Sequence, residues 1–114
     1  MRVFGLRFRD HVVLDVRSPR VDAPVAAEFL QGALAAIGDA QRVVVDLSDV
    51  QFMDSSGLGA LVALRKQMGS QGWLAVAGLR PAVATLLRLT RLDRVFPAFA
   101  SVSDAAAQGA AHGR

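Results

Sequence analysis

The chain of 114 residues predicts an α/β domain. Its sheet is mixed, four- to five-stranded, with an N-terminal antiparallel hairpin, then parallel strands and about four helices. Two observations carry this. Near the N-terminus, two short runs alternate apolar and polar residues, the period of half-buried strands. Further on, nearly continuous apolar runs, Arg42 to Leu47 and Trp73 to Ala77, have the pattern of strands buried on both faces. They alternate with segments of three- and four-residue periodicity. Successive strand–helix–strand units imply parallel pairing with helices packed on the sheet. No repeat or linker interrupts the pattern, so residues 1–114 read as a single domain.

The elements follow in order. Val3 to Arg9 and Val12 to Val16 form the hairpin across Asp10-His11, and Ser18-Pro19-Arg20 breaks the second run. From Pro24 the period changes, and Ala26, Phe29, Leu30, Ala33, Leu34 and Ile37 share one helix face. Asp22 is placed to cap that helix and Gly38 to stop it. After the strand at Arg42, the loop Ser48 to Ser56 leads into a second helix on Leu58, Leu61, Val62, Arg65 and Met68, ending near Gly69 or Gly72. Pro81 opens a third helix with Val83, Leu86, Leu87 and Thr90 inward, and Pro97 limits its extension. Val95 to Ala100 reads as a short edge strand. Ser101-Val102-Ser103-Asp104 starts a last helix that Gly109 ends, and residues 109–114 are expected to fray.

Composition excludes several functions. There is no cysteine, hence no disulfide framework, thiolate nucleophile or cysteine metal site. No run of about 18 apolar residues is present, so membrane insertion is not expected. Met1 to Arg7 lacks the apolar stretch of a secretory signal, which makes the cytoplasm the expected compartment. The isoelectric point of 11.0 comes from a net charge of only +3, because arginine stays charged at any accessible pH. Arg80, Arg88, Arg91 and Arg94 have no Tyr or Trp between them and are diluted by Asp93, so direct nucleic-acid binding is not expected.

The informative segment is Asp49 to Leu61, which joins a buried strand to a helix, where α/β proteins place function. Asp54, Ser55 and Ser56 are all good helix caps, and one of them takes that role. Capping does not explain glycine at both 57 and 59. A glycine in a helix is unfavourable by about 1 kcal/mol relative to alanine, which points to close approach by a strand or a partner. A phosphate-binding loop would need Lys after the glycines, but Lys66 is the chain's one lysine. A nucleophile elbow would need Gly-x-Ser-x-Gly and a histidine base, and His11 and His112 lie in a turn and in the tail. Asp46, Asp49 and Asp54 without histidine are weak cation ligands and are better read as strand-end and cap residues. No catalytic residue, cofactor site or metal site is expected.

Phe52-Met53-Asp54-Ser55-Ser56-Gly57-Leu58-Gly59 resembles the signature of the STAS domain, the sulphate-transporter and anti-sigma-factor-antagonist family. The resemblance is strongest to single-domain cytoplasmic antagonists and covers nearly the whole chain. Val43 to Asp46 matches the family's central strand. Arg80 to Val83 with Leu89 to Phe96 matches its third helix and following loop. The resemblance implies an anti-sigma-factor antagonist that binds an anti-sigma factor with serine-kinase activity when unphosphorylated. Phosphorylation of Ser56, with Ser55 second, would switch it off, and a metal-dependent serine phosphatase would restore it. Asp22, Asp54, Ser55, Ser56, Gly57, Leu58 and Gly59 are the implied partner-binding residues. Leu61 belongs to the core by periodicity. A homodimer is compatible with this reading.

Two departures from the family pattern stand out. Ser18-Pro19-Arg20-Val21-Asp22 keeps the family's aspartate after the second strand but lacks its glycine. Arg91 stands where a glycine is common, so the end of the third helix is expected to change shape. Two other functions remain in view: a cytoplasmic STAS accessory subunit docking on the ATPase of a lipid or anion transporter, and a small nucleotide-binding domain using Ser56 to Gly59.

Overall fold

The computed structural model describes residues 1–112. Strands β1 (Arg2–Arg7) and β2 (Val12–Arg17) form the hairpin, followed by the two-residue strand β3 (Arg20–Val21) and helix α1 (Ala26–Ile37). Then come β4 (Arg42–Asp46), the two-residue β5 (Phe52–Met53), α2 (Ser55–Gln67), β6 (Trp73–Ala77) and α3 (Pro81–Leu89). A 3₁₀ turn (Leu92–Arg94), β7 (Ala98–Phe99) and α4 (Val102–His112) complete the fold. The main sheet has five strands in the order β1-β2-β4-β6-β7. Among the described residues only β1 and β2 pair antiparallel; the other neighbours are parallel. The mixed sheet and four helices agree with the sequence expectation.

The two faces of the sheet differ in depth. Val12, Leu14 and Val16 of β2, Val43 and Val45 of β4, and Leu74 and Val76 of β6 share one buried cluster with Phe29, Leu61, Leu64, Val83 and Leu87 of α1, α2 and α3. The other cluster is thin: Val13, Val44, Ala75 and Ala77 against Ala105 of α4. Pairing opposite Asp15 and Val13 puts Phe4 and Leu6 of β1 on this second face, where both are exposed. The expected inward residues of α1 are there, Phe29, Ala33 and Ile37 fully buried and Ala26, Leu30 and Leu34 partly so. Full burial of a large side chain such as Phe29 or Ile37 is worth about 1.5–3 kcal/mol, which is why apolar spacing located the helices.

Several local expectations are corrected. The hairpin tip is Arg9-Asp10 rather than Asp10-His11, since pairing ends at Arg7 opposite Val12 and the Phe8 N–H donates to the His11 carbonyl at 2.8 Å. Stacking of the Phe8 and His11 rings, 4.8 Å apart, holds that closure. Asp22 does not cap α1: the helix starts after Val25 with no side-chain cap, and Asp22 instead gives its backbone carbonyl to the Val25 N–H. Thr90 is exposed; its hydroxyl donates to the Leu86 carbonyl at 2.7 Å and closes the end of α3. Buried Leu64, rather than half-buried Arg65, completes the inner face of α2. Helix α4 passes Gly109 and runs to His112; of the expected frayed tail, positions 113–114 lie outside the described residues.

Arg91 gives the least expected result. Its backbone is left-handed, φ 63 and ψ 15, the one non-glycine residue with positive φ among those described. The turn therefore keeps the conformation that a glycine would adopt freely. An L-residue held there is disfavoured by about 1–2 kcal/mol.

Candidate functional site

The expected site is the start of α2, and the residue that caps it is Asp54. One carboxylate oxygen, Oδ1, accepts the Ser56 N–H at 2.9 Å and the Gly57 N–H at 3.1 Å. The other, Oδ2, accepts the Ala23 N–H at 3.0 Å, from a residue 31 positions earlier in the chain. A single side chain thus closes the first turn of α2 and ties it to the turn before α1. These bonds, that from Gly57 first, hold the Asp54 carboxyl below the ordinary carboxylate pKa, against the opposing effect of desolvation.

Because Asp54 caps the helix, the two serines are left free. Ser55 and Ser56 are both exposed, in the first turn of a 13-residue helix. Among the described residues, neither hydroxyl takes part in a hydrogen bond. The glycines beside them divide into two cases. A Cβ on Gly57 would run into the Val21 carbonyl oxygen and lie 2.8 Å from Met53 Cγ. Gly57 is therefore required by close packing on β3. Gly59 has nothing within 4 Å of such a Cβ, so of the expected approach by a strand or a partner, the strand accounts for the first glycine and not for the second.

The remaining expected residues separate by burial. Leu58 is 5% exposed and Leu61 is fully buried, so both face the core; Leu58 and Gly57 shape the helix start from beneath. Asp22 is near the site, bound through its carboxylate to Arg20 Nε at 2.7 Å. Asp46 closes the turn after β4 by accepting the Ser48 N–H at 3.0 Å, and Asp49 is exposed.

Sequence reasoning missed β3 and β5, which pair in parallel as Arg20 with Phe52 and Val21 with Met53. The pair lies directly under the helix start. It also exposes Phe52, with the Arg20 guanidinium 4.4 Å above its ring. Arg20 and Phe52 therefore form an exposed cation–π pair across β3 and β5. Strands of two residues carry no readable period; the available signal was one apolar residue on each side, Val21 and Met53, each followed by an aspartate. A separate open cleft of about 580 Å³ lies at the C-terminal ends of β4, β6 and β7, lined by Ser48, Gly78, Leu79, Arg80, Ala98, Phe99 and Ala100. None of the expected site residues lines it.

Comparison with known proteins bears on this arrangement. Residues 6–105 match the family model described as the STAS domain. The Anti-sigma F factor antagonist of Paenibacillus polymyxa is 35% identical over 60 residues, 52% of this chain and 51% of that protein. The chain thus spans about half the length of that curated relative. The crystal structure of an anti-sigma factor antagonist from Mycobacterium paratuberculosis superposes with a TM-score of 0.84 at 27% identity, covering 94% of this chain and 92% of that one. The murine anion transporter Slc26a9 shares the fold alone, at TM-score 0.80 and 19% identity over 93% of this chain and 18% of its own. The chain belongs to the STAS domain family, and its similarity there runs to anti-sigma factor antagonists.

Proposed function

We propose that this protein is a cytoplasmic anti-sigma-factor antagonist that works as a phosphorylation-controlled binding switch. Unphosphorylated, it docks on an anti-sigma factor with serine-kinase activity; a phosphate on Ser56 ends the docking, and a serine phosphatase restores it. The observation that carries this reading is the exposed Ser56 hydroxyl, left without a structural task because Asp54 caps the helix. Ser55 shares the exposure and is the second candidate.

The chemistry favours a switch of docking over a switch of folding. A phosphate adds up to two negative charges and three acceptor oxygens. At Ser56 it lies beside a carboxylate that already holds the Ser56 and Gly57 amides, so negative charge accumulates next to Asp54 on the docking surface. Gly57 on Val21 and the core contacts of Leu58 and Leu61 keep the helix in place. The surface changes sign and shape while the fold persists.

Incubation with the cognate kinase and ATP is expected to add a phosphate-sized mass to a peptide containing Ser56. Ser56→Asp is expected to lose partner binding with a nearly unchanged melting temperature. A mimic that binds as tightly as the wild type would sink the switch. Absence of the mass increment, together with co-purification with a transporter ATPase, would favour the accessory-subunit reading, for which the likeness to Slc26a9 supports only a shared fold.

A further inference from the structure

The turn that ends α3 gathers features that the site at Ser56 does not use. Within Arg88 to Val95, Leu89 is 74% exposed and Val95 47%. Arg88, Arg91 and Arg94 are exposed around them, with Asp93 the one acid of the segment. Among the described residues, none of these three guanidiniums enters an ion pair or a side-chain hydrogen bond. Arg91 is also the residue held in the left-handed conformation. The turn itself is closed by backbone bonds, Arg91 N–H to Arg88 O and Arg94 N–H to Arg91 O, both 3.2 Å. It needs no arginine side chain. Strain retained where the side chain has no internal partner points to a use outside the chain.

We propose that Arg88 to Val95 is a second contact surface, which receives an acidic amphipathic segment of a partner protein. Leu89 and Val95 meet the apolar stripe of that segment, and Arg88, Arg91 and Arg94 meet its carboxylates. The charge around the turn selects an anionic partner, and arginine offers planar, fork-like donors to carboxylates. A lipid surface fits less well, because two apolar side chains bury too little to anchor a protein in a membrane. The surface also differs in charge from the start of α2, where the Asp54 carboxylate lies beside the Arg20–Asp22 ion pair. This inference stands whether or not Ser56 is phosphorylated.

The test uses the full chain, isotope-labelled for amide NMR, and three probes. These are a synthetic helical peptide with a leucine stripe flanked by glutamates, the same peptide with lysines in their place, and vesicles of anionic phospholipid. The glutamate peptide is expected to shift amides of residues 86–96, with an affinity that weakens as salt rises. Arg91→Gly is expected to raise the melting temperature while weakening that peptide about fivefold. Leu89→Ser is expected to weaken it to a similar degree. Unchanged affinity in Arg91→Gly with a raised melting temperature would show an arginine that is merely tolerated, and would overturn the proposal. So would equal binding of the lysine peptide, shifts confined to other residues, or a preference for the vesicles.

Discussion

The start of α2 and the turn after α3 both place the backbone where an ordinary side chain is resisted, and the chain answers differently at each. At Gly57 the Val21 carbonyl leaves no room for a Cβ, and the residue is glycine. At Arg91 the backbone is left-handed, where glycine is the unstrained choice, and the residue is arginine. The first is a packing demand that admits one answer. The second is a conformational demand of modest size that other interactions outweigh, so the residue there is free to be chosen for its side chain. A close approach of atoms is therefore the stronger constraint on sequence, and an unfavourable dihedral the more informative exception.

The largest way to break this contrast is Gly57→Ala. The added methyl must displace either β3 or the first turn of α2, and a loss of about 3 kcal/mol is expected, read by chemical denaturation with the midpoint moving and the slope unchanged. A loss near zero would mean that the helix start is not held on Val21. Asp54→Ala comes next. It releases three amides at once, two in α2 and one in the turn before α1, and the melting temperature is expected to drop by several degrees. Asp54→Asn, which can still accept, should recover part of the drop.

The same residue sets a pH dependence whose direction is fixed. The folded-state pKa of Asp54 is lowered, so its stabilisation is fully present above the unfolded carboxylate value. It is lost as the pH falls through the lower, folded value. Wild type and Asp54→Ala should therefore converge in stability on acidification and stay apart at neutral pH. Parallel curves across that range would remove the cap from the account.

Two smaller effects sharpen the comparison from the other side. Arg91→Gly is expected to stabilise by about 1 kcal/mol, strain relief being partly offset by the greater freedom of glycine in the unfolded chain. Gly59→Ala is expected to gain about 0.5 kcal/mol, since nothing opposes the methyl and alanine favours the helix. If Gly59 serves approach by a partner rather than by the chain itself, that gain will come with weaker docking. Surface plasmon resonance against the proposed anti-sigma-factor partner separates the two outcomes.

The order of strands and helices was legible in the sequence because burial repeats with a period: Val43 to Val45 and Leu74 to Ala77 on the sheet, Phe29, Ala33 and Ile37 on α1. The segment that carries the candidate site stood out for a different reason, the concentration of cap residues and glycines between a buried strand and a helix. What stayed hidden rests on contacts between distant residues with no local pattern. The choice of Asp54 over its neighbouring serines as the cap depends on Ala23. The difference between Gly57 and Gly59 depends on Val21, and Asp22 does not cap α1 because the helix starts only after Val25. Arg91 was misjudged because a departure in residue type was taken for a departure in shape.

The shared carboxylate of Asp54 has a consequence in time as well as in space. The amides of Ala23, Ser56 and Gly57 all end on one side chain. Opening of that side chain exposes all three to solvent together, although they belong to segments far apart in the chain. Their hydrogen exchange should then share one opening free energy and respond as a group to acid. A partner that seats on Ser56 would slow exchange at Ala23 without touching it, a remote signature by which docking can be followed.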